Sequence, residues 1–281
     1  MTDVTRIRAG RLVEVVAGEV LTDQLLIARG ERIESIGPYD DGPVDVDLSK
    51  HTVLPGLIDC HAHLIGEVES GHGYAALVQR TGAQEALSGV RNARDTIMAG
   101  FTSVRDVGTF RAFVDVALRD AIEADDVLGP RMLCAGAYVT SSGGGGDVTG
   151  LAPDVDAVVP RDLRFGVANS PDEVRKAVRE ILHGGADFIK VIATGAVLTE
   201  GTVPSAPEFS EAEIRAGVEE AALYETHVAA HAHGAEGIKR AVRAGVRSIE
   251  HGSLMDDESI ALMAEHGTFL VADVWMGDWS I

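Results

Sequence analysis

Cysteine, basic charge and long apolar runs are all scarce in this chain of 281 residues. Only Cys60 and Cys134 occur, and both fall in stretches that read as core strands, which predicts a reduced environment and no disulfide. Lysine and arginine total 24 against 44 acidic residues, a formal net charge of −20. That balance argues against nucleic acid and anionic membrane surfaces as partners. No stretch approaches the roughly 18 apolar residues of a membrane span, and MTDVTRIRAGRLVEVVAGEV lacks the basic segment and apolar run of a secretory signal. A cytoplasmic, homo-oligomeric protein with a small-molecule substrate is the expectation.

What is present is core material, since 46% of residues are hydrophobic. Residues 5 to about 50 hold short β-type runs, Arg6 to Val16, Glu19 to Ala28 and Arg32 to Ile36, cut by Gly10, Gly18 and Gly30. Asp40 to Val46 reads as a linker. From Val53 onward, apolar strands alternate with amphipathic helices, the pattern of βα units around a parallel sheet. Strands are expected at Val53 to Leu64, Phe101 to Val107, Arg131 to Ala137, Phe188 to Ala193, Val228 to His233, Arg247 to His251 and Thr268 to Val274. The best-marked helix begins at Ser170-Pro171, with Glu173 expected to complete a capping box. The predicted fold class is α/β: a (β/α)8 TIM-like barrel over 53–281 that stops after strand seven, strand eight missing, with a small β-sandwich portion over 1–52. A barrel one strand short leaves two unpaired edges.

Sites on such barrels gather at the carboxyl ends of the strands. There the sequence places His61 and His63, two apart on strand one and so on the same side, then His231 and His233 on strand five and His251 on strand six. Lys190 lies inside FIKVIA on strand four, where a bare ammonium is costly to bury and needs a partner or an altered form. Asp59 and Asp106 stand near these ends as groups that orient their neighbours, and Tyr138 opens a loop that can reach substrate. His72, in the loop Gly66 to Gly73, can also approach substrate. Arg161 and Arg164 face either a substrate carboxylate or solvent.

LPGLIDCHAHL, DFIKVIATGAV, VAAHAHGAEGIKRAVRAGV and SIEHGSLMDD together resemble the metal-dependent amidohydrolase superfamily. The likeness is greatest to its binuclear branch of Xaa-Pro dipeptidases, arginine carboxypeptidase-like enzymes and ochratoxin-hydrolysing amidases. The resemblance implies a hydrolase of amide or peptide-like C–N bonds using a metal-bridging hydroxide. His61 and His63 would hold one divalent ion, His231 and His251 a second, and Lys190, as a carbamate formed with CO2, would bridge them. Zinc suits imidazole and carboxylate donors best, with manganese or cobalt close behind. Lys190 and His233 are the implied catalytic side chains, His233 through substrate.

Two departures from the family pattern stand out. Gly145 in SSGGGGD replaces a histidine of TGGHGD, a donor worth about 3 kcal/mol of barrier at similar groups. The strand-eight aspartate is also absent, with Asp273, one strand too early, and Asp278 the nearest acids. The alternatives are a mononuclear deaminase or cyclic-amide hydrolase, for which His233 and Glu236 have the right spacing, and a catalytically incomplete fragment that requires strand eight.

Overall fold

The computed structural model describes residues 4–66 and 75–273. His72, Val274 and the segment 277–281 with Asp278 lie outside the described residues. The chain divides into two compact units, Met1–Leu57 and Ile58–Ile281.

The first unit is a single four-stranded sheet in the order β3-β2-β1-β4, built from β1 (Val4–Glu14), β2 (Glu19–Arg29), β3 (Arg32–Pro38) and β4 (Val46–Val53). Its core is Ala9, Leu12 and Leu26, packed by Ile7, Leu21 and Val53. The expected linker therefore runs into a fourth strand, whose polar stretch Ser49-Lys50-His51-Thr52 hides it from an apolar-pattern search. β4 pairs parallel to β1 with a register shift between Ala9 and Arg11. At the intervening Gly10 a Cβ would sit 1.9 Å from the Ser49 carbonyl oxygen, so only glycine allows the approach.

The second unit alternates strand and helix. Its strands are β5 (Leu57–Ala62), β6 (Phe101–Asp106), β7 (Arg131–Cys134), β8 (Tyr138–Val139), β9 (Ile189–Ile192), β10 (Val228–Gly234), β11 (Ser248–Leu254) and β12 (Phe269–Val271). Between them lie α1 (Ala75–Gln79), α2 (Gly82–Met98), α3 (Val114–Glu123), α4 (Pro153–Asp156), α5 (Pro171–His183), α6 (Glu211–Ala222), α7 (Ala235–Ala244) and α8 (Asp257–His266). The strands form two sheets, β5-β6-β7 and β12-β11-β10-β9-β8. The bond from Asp187 N to the Cys134 carbonyl, 2.8 Å, links the end of β7 to the approach to β9. Every pair from β8 to β12 is parallel. The main core joins Val178 and Ile181 of α5, Ile214 of α6 and Ile238 and Val242 of α7 to Ile189, Val191, Ala230 and Ile249 of the sheet. Among the described residues no helix is long and apolar enough to cross a membrane.

Three local expectations are corrected. Strand one is not buried: Ile58 is 68% exposed and Cys60 is also exposed, because β5 is an end strand with a neighbour on one side only. The third barrel strand ends at Cys134 and the chain resumes pairing only at Tyr138, with Gly136 in the left-handed region between them. At α5 the Ser170 hydroxyl accepts from Glu173 N, but the Glu173 carboxylate accepts from Asn169 N at 2.6 Å rather than from Ser170 N. The reciprocal box is complete instead at α6, between Ser210 and Glu213.

Candidate metal centre

β10 is buried along its whole length, and its alternation sends His231 and His233 the same way. Their rings lie 4.7 Å apart. His251, on neighbouring β11, completes a trio at 4.8 Å from the His231 ring and 4.9 Å from that of His233. One ligand atom from each lies within 4.8 Å of the others. His61 ends β5 and approaches His251 at 4.6 Å between rings, and His63 at 5.4 Å. Asp273, just past β12, joins His61 and His251 in a second group with the same mutual spacing, its Oδ2 3.7 Å from His251 Nδ1. His251 thus belongs to both groups, while Asp273 stands where strand order alone did not bring it.

Four of the five rings are oriented by a second contact. The Gly108 carbonyl, 2.8 Å from His63 Nδ1, can only accept, so a neutral His63 donates from Nδ1 and keeps its lone pair on Nε2. The Gly195 carbonyl, 3.3 Å from His231 Nε2, forces the opposite choice, with the lone pair on Nδ1. His233 Nδ1 meets the Ser253 hydroxyl at 3.1 Å, and His61 Nδ1 meets Glu250 Oε2 at 2.8 Å.

Lys190 is 2% exposed within β9. Burial pulls its ammonium down to about 8, against the pull of Glu250 and with the push of Arg105. Burial is also the leading cause that holds all five imidazoles below their usual value, and the Lys190 charge contributes to every one of them. His63 is exposed as a residue, yet its ring lies among the clustered groups and is held at about 4. Neutral imidazoles are the form that binds a cation.

The remaining sequence-marked residues serve this centre indirectly or not at all. Asp59 accepts from His61 N at 2.9 Å. Asp106, fully buried, accepts from Leu64 N at 2.9 Å and Gly108 N at 3.1 Å. It thereby fixes Leu64, next to His63, and Gly108, whose carbonyl His63 uses. The Tyr138 hydroxyl donates to that same carbonyl at 2.9 Å and lies 3.4 Å from His63 Nδ1. Arg164 is held by Asp147 through Nε and Nη2 and by Asp156, and Arg161 pairs with Glu180. Of the two readings the sequence left open for these arginines, the exposed Arg161 side chain fits the solvent one. Glu236 turns to Arg240 at 2.8 Å on the exposed face of α7.

Gly145 donates its N–H to Glu208 at 2.8 Å and accepts from the Thr199 hydroxyl at 2.7 Å. A Cβ there would press on Ala196 N at 3.0 Å and Ile192 Cγ2 at 3.1 Å, so the glycine is built into the packing.

Sequence reasoning missed Glu250 and Arg105 and, on α3, the fully buried Asp115, which accepts from Gly136 N at 2.8 Å. All three are charged residues within or beside apolar segments, the same signal that picked out Lys190, but none carries a ligand-type motif.

This chain belongs to the amidohydrolase family, whose model matches residues 52–280. The family and the strand–helix alternation define an α/β fold of TIM-barrel type. Among curated proteins, the ochratoxinase of Aspergillus niger is 34% identical over 288 aligned residues, covering 96% of this chain and 58% of the ochratoxinase. The chain thus spans a little over half of that relative. A solved Xaa-Pro dipeptidase with methionine in its active site is similar with a TM-score of 0.89 and 37% identity, covering 99% of this chain and 68% of the other. A prolidase complexed with N-methylphosphonate-L-proline follows with a TM-score of 0.83 and 33% identity, covering 95% of this chain and 65% of that one.

Proposed function

We propose that the chain carries the catalytic centre of a binuclear metal-dependent hydrolase of amide C–N bonds, acting on a dipeptide or N-acyl amino acid. The observation that carries this reading is the convergence of five imidazoles, neighbouring rings 4.6 to 5.4 Å apart, with the buried Lys190 paired to Ala229 on the face of β10 that carries His231 and His233. Such a set is a costly way to fill a core and a good way to hold cations. The donor set fits divalent metal: the rings favour the neutral form, and acceptor-only partners assign the free lone pairs of His63 and His231.

His61 and His63 would hold one ion, and Asp273, grouped with both His61 and His251, would offer a carboxylate to the pair of ions. His231 and His251 would hold the second. Lys190 would serve both as a carbamate, formed when its neutral amine adds to CO2 and loses a proton. A burial-lowered pKa enlarges the amine fraction available for that addition, and the product replaces a buried cation with an anion suited to the apolar strand. When bound, the ion pair supplies an acidified water and a polarised scissile carbonyl. His233, steadied by Ser253, would contact substrate.

The barrel assignment over 53–281, with the 1–52 sheet as a unit of its own, belongs to the same proposal, supported by the parallel strand–helix alternation from β5 to β12. The mononuclear alternative keeps the His233–Glu236 spacing, with Glu236 paired to Arg240 on the exposed face of α7.

The test is metal analysis of the chain after zinc or manganese loading in bicarbonate, together with hydrolysis of ochratoxin and of Xaa-Pro dipeptides. About two ions per chain and cleavage of an amide are expected. A chain that binds no metal under these conditions refutes the proposal.

A further inference from the structure

We propose that Glu250 is a positioning residue of this centre, which fixes the tautomer of His61 so that Nδ1 carries the proton and Nε2 the lone pair. The geometry rests on a division of labour between the two carboxylate oxygens. Oε1 accepts from Arg105 Nη2 at 2.6 Å and from the Ser248 hydroxyl at 2.6 Å, so its capacity is filled. Oε2 has His61 Nδ1 at 2.8 Å. A carboxylate so engaged by a guanidinium acts only as an acceptor, so the neutral imidazole must donate.

The carboxylate itself cannot drift. Glu250 is 0% exposed, and Arg105 is anchored in turn by its Nε to the Cys60 carbonyl at 2.7 Å and by its Nη1 to Ser248 Oγ at 3.1 Å. The arrangement connects β5, β6 and β11, which lie in two different sheets. In a regular strand, Glu250 and His251 would point to opposite faces. His251 instead has φ of 68°, and both side chains reach His61, the first through its oxygen and the second ring to ring at 4.6 Å. A merely structural Arg105–Glu250 pair would need neither the free oxygen on His61 nor this turn of the backbone. Carboxylate-backed histidines of this kind raise ligand basicity, and losing the carboxylate costs about 10- to 100-fold in metal affinity. That consequence rests on the metal-centre reading above, whereas the tautomer does not.

The decisive measurement is a long-range 1H–15N spectrum of the histidine rings of the whole 15N-labelled chain without metal, His61 being assigned by its loss in His61→Gln. A protonated Nδ1 and bare Nε2 are expected, and the reverse tautomer in the unaltered chain overturns the proposal. In Glu250→Gln the amide can offer a donor to Nδ1, so a mixed or inverted His61 tautomer and a 10- to 100-fold weaker cobalt affinity are expected. A folded Glu250→Gln chain that loses only thermal stability, with tautomer and cobalt affinity unchanged, shows a structural role and also overturns it. Failure of the unaltered chain to bind cobalt refutes the metal-centre reading separately, and the spectrum still decides the His61–Glu250 pair.

Discussion

The two sides of the centre are held by different means. On the β10 side the sheet does the work: the strand is buried from end to end, regular alternation aims His231 and His233 together, and a carbonyl and a hydroxyl orient the rings. On the β5 side the strand is half open to solvent, His63 lies beyond its last residue, and position comes from buried charge, with Glu250 and Arg105 behind His61 and Asp106 holding Leu64 and Gly108 next to His63. A central strand can carry ligands on its backbone geometry alone. An end strand lacks a neighbour on one side, so polar ties must supply what the missing hydrogen-bond ladder does not.

The largest effect is expected where the two sides meet. Lys190→Met keeps the apolar volume and removes the shared group, and should bring both metal content and amide hydrolysis to background by metal analysis and turnover. Next, Arg105→Met strips the counter-charge from a fully buried Glu250 and should cost about 3–5 kcal/mol in urea unfolding. A comparable truncation of Arg161, whose pair with Glu180 is largely exposed, should cost under about 1 kcal/mol. Such a contrast would locate the stabilising charge on the β5 side.

A pH experiment sharpens the same contrast. Burial raises the Asp115 carboxyl to about 6. A raised acid binds its proton more tightly when folded, so the stability it lends is present below the unfolded value near 3.8 and lost as pH climbs through about 6. Asp115→Asn should therefore gain on the unaltered chain as pH rises from 4 to 7, read as the change in their unfolding difference. A difference independent of pH would sink this account. The smallest effect is expected for His233→Asn: about two ions per chain should remain while KM rises, and loss of an ion would make His233 a ligand instead.

The clustered histidines were legible because each imidazole follows an apolar run at a strand end, and Lys190 interrupts one. The TIM-type alternation was legible for the same reason of periodicity. What sits behind the ligands was not. Glu250 has no motif, and its partner Arg105 is 145 residues away in sequence. β4 was hidden by polar residues, and strand one read as buried because composition records hydrophobicity without saying whether a strand has one neighbour or two. Glu236 had the spacing of a catalytic acid, yet an arginine one helical turn on claimed it.

The backbone at His251 carries a lesson for anyone transplanting this centre. With φ at 68°, two adjacent side chains enter the same space. A Glu-His dipeptide grafted onto an ideal strand would send the acid outward and leave the imidazole on the far strand unsupported. The torsion is thus as much a part of the recipe as the letters, and a β-branched residue at that position would forfeit it even before chemistry is considered.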